Sequence, residues 1–299
     1  MADIVVVGSL NHDLTVITPS HPRPGETVLG IRHYSDNGGK GANQAMAAAR
    51  LGGSVAIVGR VGDDGHGREL RDALLAEGVD VTGLGVEPGV ATGLAVITID
   101  ASAENTIVVS PGANATLGRD QIEANQDLIS GASVVLAQLE VPIEAVVATA
   151  RLTTGTFCLN PAPATDLPPD LLARTDVLIP NRSELGLLAG VPEPDSTGEV
   201  ARAVRKLRTD APVVVTLGAA GALLVTDETV RFPAVEVEAV DPTGAGDAFC
   251  GAIAEALGRG LTLEVAVERA VAAGALATTT PGAQSSLPTA DQLERLLCT

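Results

Sequence analysis

The feature that most constrains this chain is an alternation. Short apolar runs at 4–7, 54–58, 134–137, 156–159, 177–179 and 213–216 are too brief for helices, and most of them carry no polar face. Between or after them lie stretches with apolar residues at helical spacing, 41–51, 67–77, 143–149, 183–189 and 199–208, and later a long alanine-rich one at 263–279. A strand buried on both faces reads as a continuous aliphatic run, whereas a strand with one wet face alternates. The pattern predicts βαβ units, and so an α/β fold with a mostly parallel central sheet and helices on both faces. Aromatic residues are nearly absent (three Phe, one Tyr, no Trp), so the core has to be aliphatic.

Two regions break the alternation. Short β-type runs at 14–17 and 27–32 are joined by a turn rich in Pro19, Pro22, Pro24 and Gly25, and runs at 94–99 and 106–109 read as a hairpin around 101–105. These pieces either form a small second sheet, a lid over the carboxyl edge where α/β sites lie, or extend the main sheet at its edge.

A net charge of −18 argues against nucleic-acid and anionic-membrane partners, because phosphate surfaces require clustered Lys and Arg. The longest nearly apolar run, 213–225, is interrupted by Thr216, Gly218 and Gly221 and is too short to span a bilayer. The N-terminus lacks a basic signal region, and the three cysteines, Cys158, Cys250 and Cys298, have no CxxC or zinc-type spacing. A cytoplasmic location is expected, with Cys158 and Cys250 as buried thiols.

The segment from Asp241 to Phe249, DPTGAGDAF, places a glycine-rich turn and a carboxylate where a helix begins, because Phe249, Ala252, Ile253, Ala256 and Leu257 recur at helical spacing. Val235, Val237 and Val240 read as an extended segment leading into it. Unpaired backbone N–H groups of Gly244, Ala245 and Gly246 at a helix N-terminus suit an anion, and Asp247 beside them suits a base. The alternative is an ordinary turn with a helix-start acid.

Other polar or glycine-rich loops follow the predicted strands. Asn11 and Asp13, at i and i+2, project to one side of extended chain and suit vicinal hydroxyls, with His12 on the opposite side facing solvent; a plain polar turn is the alternative. Gly38, Gly39, Lys40 and Asn43 in NGGKGANQA form a pattern that is not a P-loop but brings donors to a helix start. Glu140 ends the run at 134–137. Asn181 and Glu184 in PNRSE either organise Mg²⁺ and its waters or belong to a turn in which Ser183 is the N-cap. Thr216, Gly218 and Gly221 form a glycine-rich turn fit for a nucleotide. A site-bearing loop after nearly every strand favours a catalytic cleft. A dinucleotide-dependent oxidoreductase is disfavoured, since no GxGxxG follows the first strand.

With these motifs assembled, the sequence resembles the ribokinase-like family of carbohydrate kinases over essentially its whole length. The carriers are GSLNHD (8–13), GGKGANQA (38–45), QLE (138–140), PNRSE (180–184), TLGAAG (216–221), DPTGAGDAF (241–249) and GAQSS (282–286). GGKGANQA with the Asn-x-Asp pair points to the ribose-accepting branch rather than the fructose or adenosine branches. The resemblance implies one domain over 1–299 with lid segments at about 12–36 and 92–112, and ATP-dependent transfer to the 5-hydroxyl of ribose. Deoxyribose, another pentose or a nucleoside is the alternative acceptor, and a non-catalytic sugar-binding regulator the reading from a different class. It implies sugar contacts from Asn11, Asp13, Gly39, Lys40, Asn43, Glu140 and Asp247, with Asp247 the base. Gly244, Ala245 and Gly246 would form the anion hole. ATP would be met by Asn181, Thr216, Gly218, Gly221 and Gly246, with Mg²⁺ near Asn181 and Glu184. An activating K⁺ would match Asp241, Thr243, Ala277, Thr280, Gly282 and Ser286, and two lids would pack in a homodimer. The chain departs from the family pattern at Ser285, where proline is common, at His12, where a small residue is usual, and at Thr280, where basic residues occur.

Overall fold

The structure is a computed structural model that describes residues 2–102 and 104–298. Its strands are β1 (Ile4–Val7), β2 (Asn11–Ile17), β3 (Arg32–Gly38), β4 (Val55–Gly62), β5 (Asp80–Glu87), β6 (Gly93–Ile99), β7 (Asn105–Ser110), β8 (Val134–Ala137), β9 (Thr156–Leu159), β10 (Val177–Leu178), β11 (Val213–Thr216), β12 (Ala222–Val225) and β13 (Thr229–Phe232). Its helices are α1 (Lys40–Arg50), α2 (Gly65–Ala76), α3 (Arg119–Ala124), α4 (Gln126–Gly131), α5 (Ile143–Leu152), α6 (Pro169–Arg174), α7 (Arg182–Ala189), α8 (Thr197–Lys206), α9 (Ala245–Gly258), α10 (Leu263–Ala277) and α11 (Ala290–Leu297).

Nine strands form the central sheet in the order β13-β12-β11-β10-β9-β8-β1-β4-β5, parallel except for the antiparallel β11–β12–β13 edge. Side chains alternate across it. Ile4 and Val6 pack with Ala45 and Ala48 of α1, Ala252 and Ile253 of α9 and Ala270 of α10. Val5 and Val7 pack on the other face with Val146 of α5, Leu185 of α7 and Val204 of α8. Both faces are therefore covered, as the unbroken aliphatic runs require. Burying each such valine contributes about 1.5–3 kcal/mol before the entropy of ordering the chain is counted. Burial raises the Cys158 thiol to about 12, and Cys250 is likewise raised, so neither is a nucleophile at neutral pH.

The four remaining strands form a separate sheet, β3-β2-β6-β7. The β6–β7 hairpin matches the predicted one, although Ala103 in its turn lies outside the described residues. The strand expected at 27–32 instead occupies Arg32–Gly38, paired with β2 from Ile17↔Arg32 to Asn11↔Gly38. Its sequence, RHYSDNG, is polar and mostly exposed, so only pairing with β2 identifies it. The extended segment expected around Val235–Val240 is not a strand. Among the described residues no strand pairs with it beyond the edge strand β13, and Val240 and Asp241 donate instead to Thr278 O. Strands β5, β12 and β13 were not predicted. No helix among the described residues is long and apolar enough to cross a membrane.

Candidate active site

The parallel strands β1, β8, β9, β10 and β11 end at one edge of the sheet, and helices α1 and α9 begin there. Gly39, the residue before α1, has φ +89, and a Cβ on it would lie 2.7 Å from Asn11 N and 2.8 Å from Leu10 Cα. Only glycine lets this loop lie against β2. Gly244 caps α9 with φ +77, so Ala245, Gly246 and Asp247 form the first turn, as the sequence predicts. Ala245 N donates to Pro242 O at 3.2 Å, which commits one of the three amides of the expected anion hole. A side chain on Gly246 would meet nothing within 4 Å, so the face above that turn is open.

The two helix starts meet at Asp247, which is only 9% exposed. Asn43 Nδ2 donates to Asp247 Oδ2 at 2.9 Å, and Gln44 Nε2 donates to Oδ1 at 2.9 Å. The network extends both ways. Gln138 donates to Gln44 Oε1, Gln44 also donates to Asn160 Oδ1, and Gln284 donates to Asn43 Oδ1. Every member is buried, so each amide depends on partners within the protein, and Gln138 Oε1 alone among those named lacks one. Sequence reasoning named Asn43 as a sugar contact but missed Gln44, Asn160 and Gln284. The signal available was the run of polar residues at the helix start in GANQA.

Asn11 and Asp13 flank His12 at the start of β2. Asn11 Oδ1 accepts from Asn114 Nδ2 at 2.8 Å, a partner not anticipated, and Asn114 also bonds both backbone groups of Leu10. Burial, with Glu140, Asp36 and Asp247 adding negative charge, raises the Asp13 carboxyl to about 7. Glu140 Oε2 accepts from Ser9 Oγ and from the first backbone N–H of α1, that of Lys40, so this oxygen braces the loop. Burial alone would lower the Lys40 ammonium, but Asp247, Glu140 and Glu184 outweigh it and hold it above the ordinary lysine value. His12 does not face solvent as expected: it is 8% exposed and stacks on His66 of α2.

Asn181 is the N-cap of α7, so Ser183 is not. Asn181 Oδ1 accepts from Glu184 N at 2.7 Å and Glu184 Oε2 accepts from Asn181 N at 2.8 Å, a reciprocal capping box. Burial pushes the Glu184 carboxyl up. Both side chains line a small polar pocket of about 150 Å³ with Lys40, Asn160, Thr216, Gly244, Gly246 and Asp247. Thr216 and Gly246 also line an adjoining cavity of about 670 Å³, whose walls include Gly218, Gly221, Val235, Phe249 and Val271. Gly221 has a structural reason as well: its φ is +92 and a Cβ there would overlap Phe232 O. A hollow of about 860 Å³ bordered by Asp176 and Pro212 lies at the opposite, amino edge of β10 and β11, away from Asp247.

Of the six residues matched to a cation, four are joined. Asp241 Oδ1 and Oδ2 accept from the backbone N–H groups of Thr243 and Gly282 at 2.9 Å each, and Ser286 Oγ donates to Thr243 O at 3.4 Å. Ala277 ends α10 one residue before Thr278, whose carbonyl accepts from Asp241 N, whereas Thr280 is exposed and makes no such link. Arg50 steadies this loop through Gln284 O at 2.6 Å and Leu287 O at 3.2 Å.

The model of the pfkB family carbohydrate kinases matches residues 1–290. The chain is 36% identical over 291 residues to a ribokinase of Haemophilus influenzae, covering 96% of this chain and 95% of that one. It is 35% identical over 302 residues to a deoxyribokinase of Salmonella typhi, covering 99% and 98%. An Arabidopsis thaliana ribokinase complexed with ribose and ATP superposes with a TM-score of 0.91 at 31% identity, covering 100% of this chain and 99% of that one.

Proposed function

The chain belongs to the pfkB family of carbohydrate kinases, and from that premise we propose that it transfers the γ-phosphoryl group of ATP to the 5-hydroxyl of ribose, giving ribose 5-phosphate and ADP. The observation that carries this reading is Asp247. It sits in the first turn of α9, held by two amides, at the junction of a polar pocket and a larger cavity with apolar walls.

In this reading the sugar lies against Asn11, Asp13, Gly39, Lys40, Asn43 and Glu140, and the nucleoside enters the larger cavity past Thr216, Gly218 and Gly221. The sugar oxygen bonds to the γ-phosphorus as the bond from phosphorus to the bridging oxygen of ADP breaks, and the hydroxyl proton passes to Asp247. The backbone amides of Gly244 and Gly246 face the charge on the transferring group, while that of Ala245 is taken by Pro242 O. A divalent ion with ATP, Mg²⁺ by preference, supplies further charge stabilisation when bound. The donor set fits an indirect role for Glu184, whose capping box occupies one carboxylate oxygen and leaves the other for a metal-bound water. The cation loop fits K⁺, because Asp241 orders it through the backbone N–H groups of Thr243 and Gly282.

The whole chain is read as one kinase domain with the small sheet as a lid, its segments spanning about 12–36 and 92–112. Tyr34, Ile107, Val108 and Val109 are exposed on that sheet, which supports packing against a second copy. The test is a panel of ribose, deoxyribose, other pentoses and nucleosides with coupled ADP detection. Ribose is expected to give the highest kcat/KM. Preference for deoxyribose would move the chain to that activity, and no ADP release with any acceptor would overturn the kinase reading.

A further inference from the structure

His12, His66 and Glu69 each present a ligand atom within 4.8 Å of the others. His12 comes from β2 of the small sheet, whereas His66 and Glu69 come from the first two turns of α2 beside the central sheet. We propose that these three side chains bind one divalent transition metal of the zinc type, clamping the small sheet to the body of the protein.

Two independent observations carry the assignment. The first is the donor set: two imidazoles and a carboxylate suit Zn²⁺, Co²⁺ or Ni²⁺, with water completing the shell. The second is that His12 is 8% exposed and its Nδ1 is buried with no hydrogen-bond partner. A buried ring nitrogen without a partner costs about 1–3 kcal/mol, and a ligand that takes up a nitrogen lone pair removes that cost. The surroundings agree. Burial and His66 favour neutral His12, the form that ligates, while Glu69, Asp36 and Asp64 direct negative potential at the ring. Of these acids Asp64 is already engaged as the N-cap of α2 and by Thr92, and of the other two only Glu69 brings a carboxylate oxygen within 4.8 Å of both imidazoles.

The two rings stack at a centroid distance of 3.7 Å and an interplanar angle of 25°, so their lone pairs run nearly side by side. Binding therefore requires the rings to fan apart. His66 and Glu69 are exposed and can turn, while His12 is fixed by the strand. Because His12 lies between Asn11 and Asp13, occupancy is expected to change the sugar KM by about fivefold. That consequence rests on the kinase reading, whereas the binding does not.

The experiment is calorimetric titration of the metal-stripped chain with Zn²⁺, and with Co²⁺ followed by its visible spectrum. The expected result is one site with micromolar affinity, an intense tetrahedral Co²⁺ band, and an affinity about a hundredfold weaker in His66→Ala. Glu69→Gln is expected to weaken binding less. Both variants change exposed side chains, and an unchanged thermal transition confirms that they fold. Equal affinity in wild type and His66→Ala would place the metal elsewhere and overturn the proposal, as would the absence of any Zn²⁺ heat.

Discussion

Asn43 and Asp247 stand 204 positions apart in sequence and are joined by a 2.9 Å hydrogen bond that couples the start of α1 to the first turn of α9. With Gln44 on the other oxygen, the carboxylate has one orientation. A base that must meet a hydroxyl within hydrogen-bond reach benefits more from fixed direction than from strength.

Asp247→Asn keeps the shape and removes the proton acceptor. Turnover is expected to fall by about 10³-fold, with sugar and nucleotide dissociation constants changed by no more than about threefold. Near-normal kcat in this variant would remove Asp247 from the role of base.

Gln44→Ala frees Asp247 Oδ1, removes the acceptor of Gln138 Nε2 and the donor to Asn160 Oδ1, and leaves Asn160 held only through Ile179 O. Stability is expected to drop by about 1–3 kcal/mol, read by urea denaturation, and kcat by about tenfold with KM little changed. A loss of stability with kcat intact would make the amide purely structural.

Asp13 carries the pH dependence. Its folded pKa of about 7 lies above the unfolded value of 3.8, so the native state retains a proton that the unfolded state has released. Stability is therefore highest below the unfolded value, falls as pH rises toward 7, and is flat above it. Asp13→Asn is expected to abolish that slope and to gain about 2 kcal/mol at pH 8. If the carboxylate accepts a sugar hydroxyl, the wild-type KM falls as pH rises through 7 and the variant KM does not. A wild-type KM flat between pH 6 and 8 would take Asp13 out of the sugar site.

Gly39→Ala forces a Cβ against Asn11 N and Leu10 Cα at a positive φ. The expected cost is about 2–4 kcal/mol, seen as a lower Tm, with a raised sugar KM because the loop withdraws from β2. An unchanged Tm would show that the loop relaxes freely.

The Asp241 loop is tested by titrating K⁺ into a K⁺-free assay. Activity is expected to rise, and Asp241→Ala to lose most of the response, since it removes the acceptor for Thr243 and Gly282. A flat titration would leave Asp241 with a structural role alone.

Much of this was legible in the primary structure, for identifiable reasons. The runs at 4–7, 134–137 and 213–216 are buried on both faces, so their aliphatic continuity declares them strands. The start of α9 at Ala245 was readable because a glycine at positive φ and the apolar period after Asp247 are local signals. Strand β3 was not readable, because its polar residues gain extended structure only from pairing with β2.

The amino-acid sequence alone determined the fold class, the edge of the sheet where loops collect, and the placement of Asp247 in a first helical turn. These follow from periodicity and backbone chemistry, which act over a few residues. Tertiary structure alone decided which groups hold that carboxylate and that His12 is buried against His66. The reason is the same in both cases: a side chain's partner is set by packing between elements far apart in the chain.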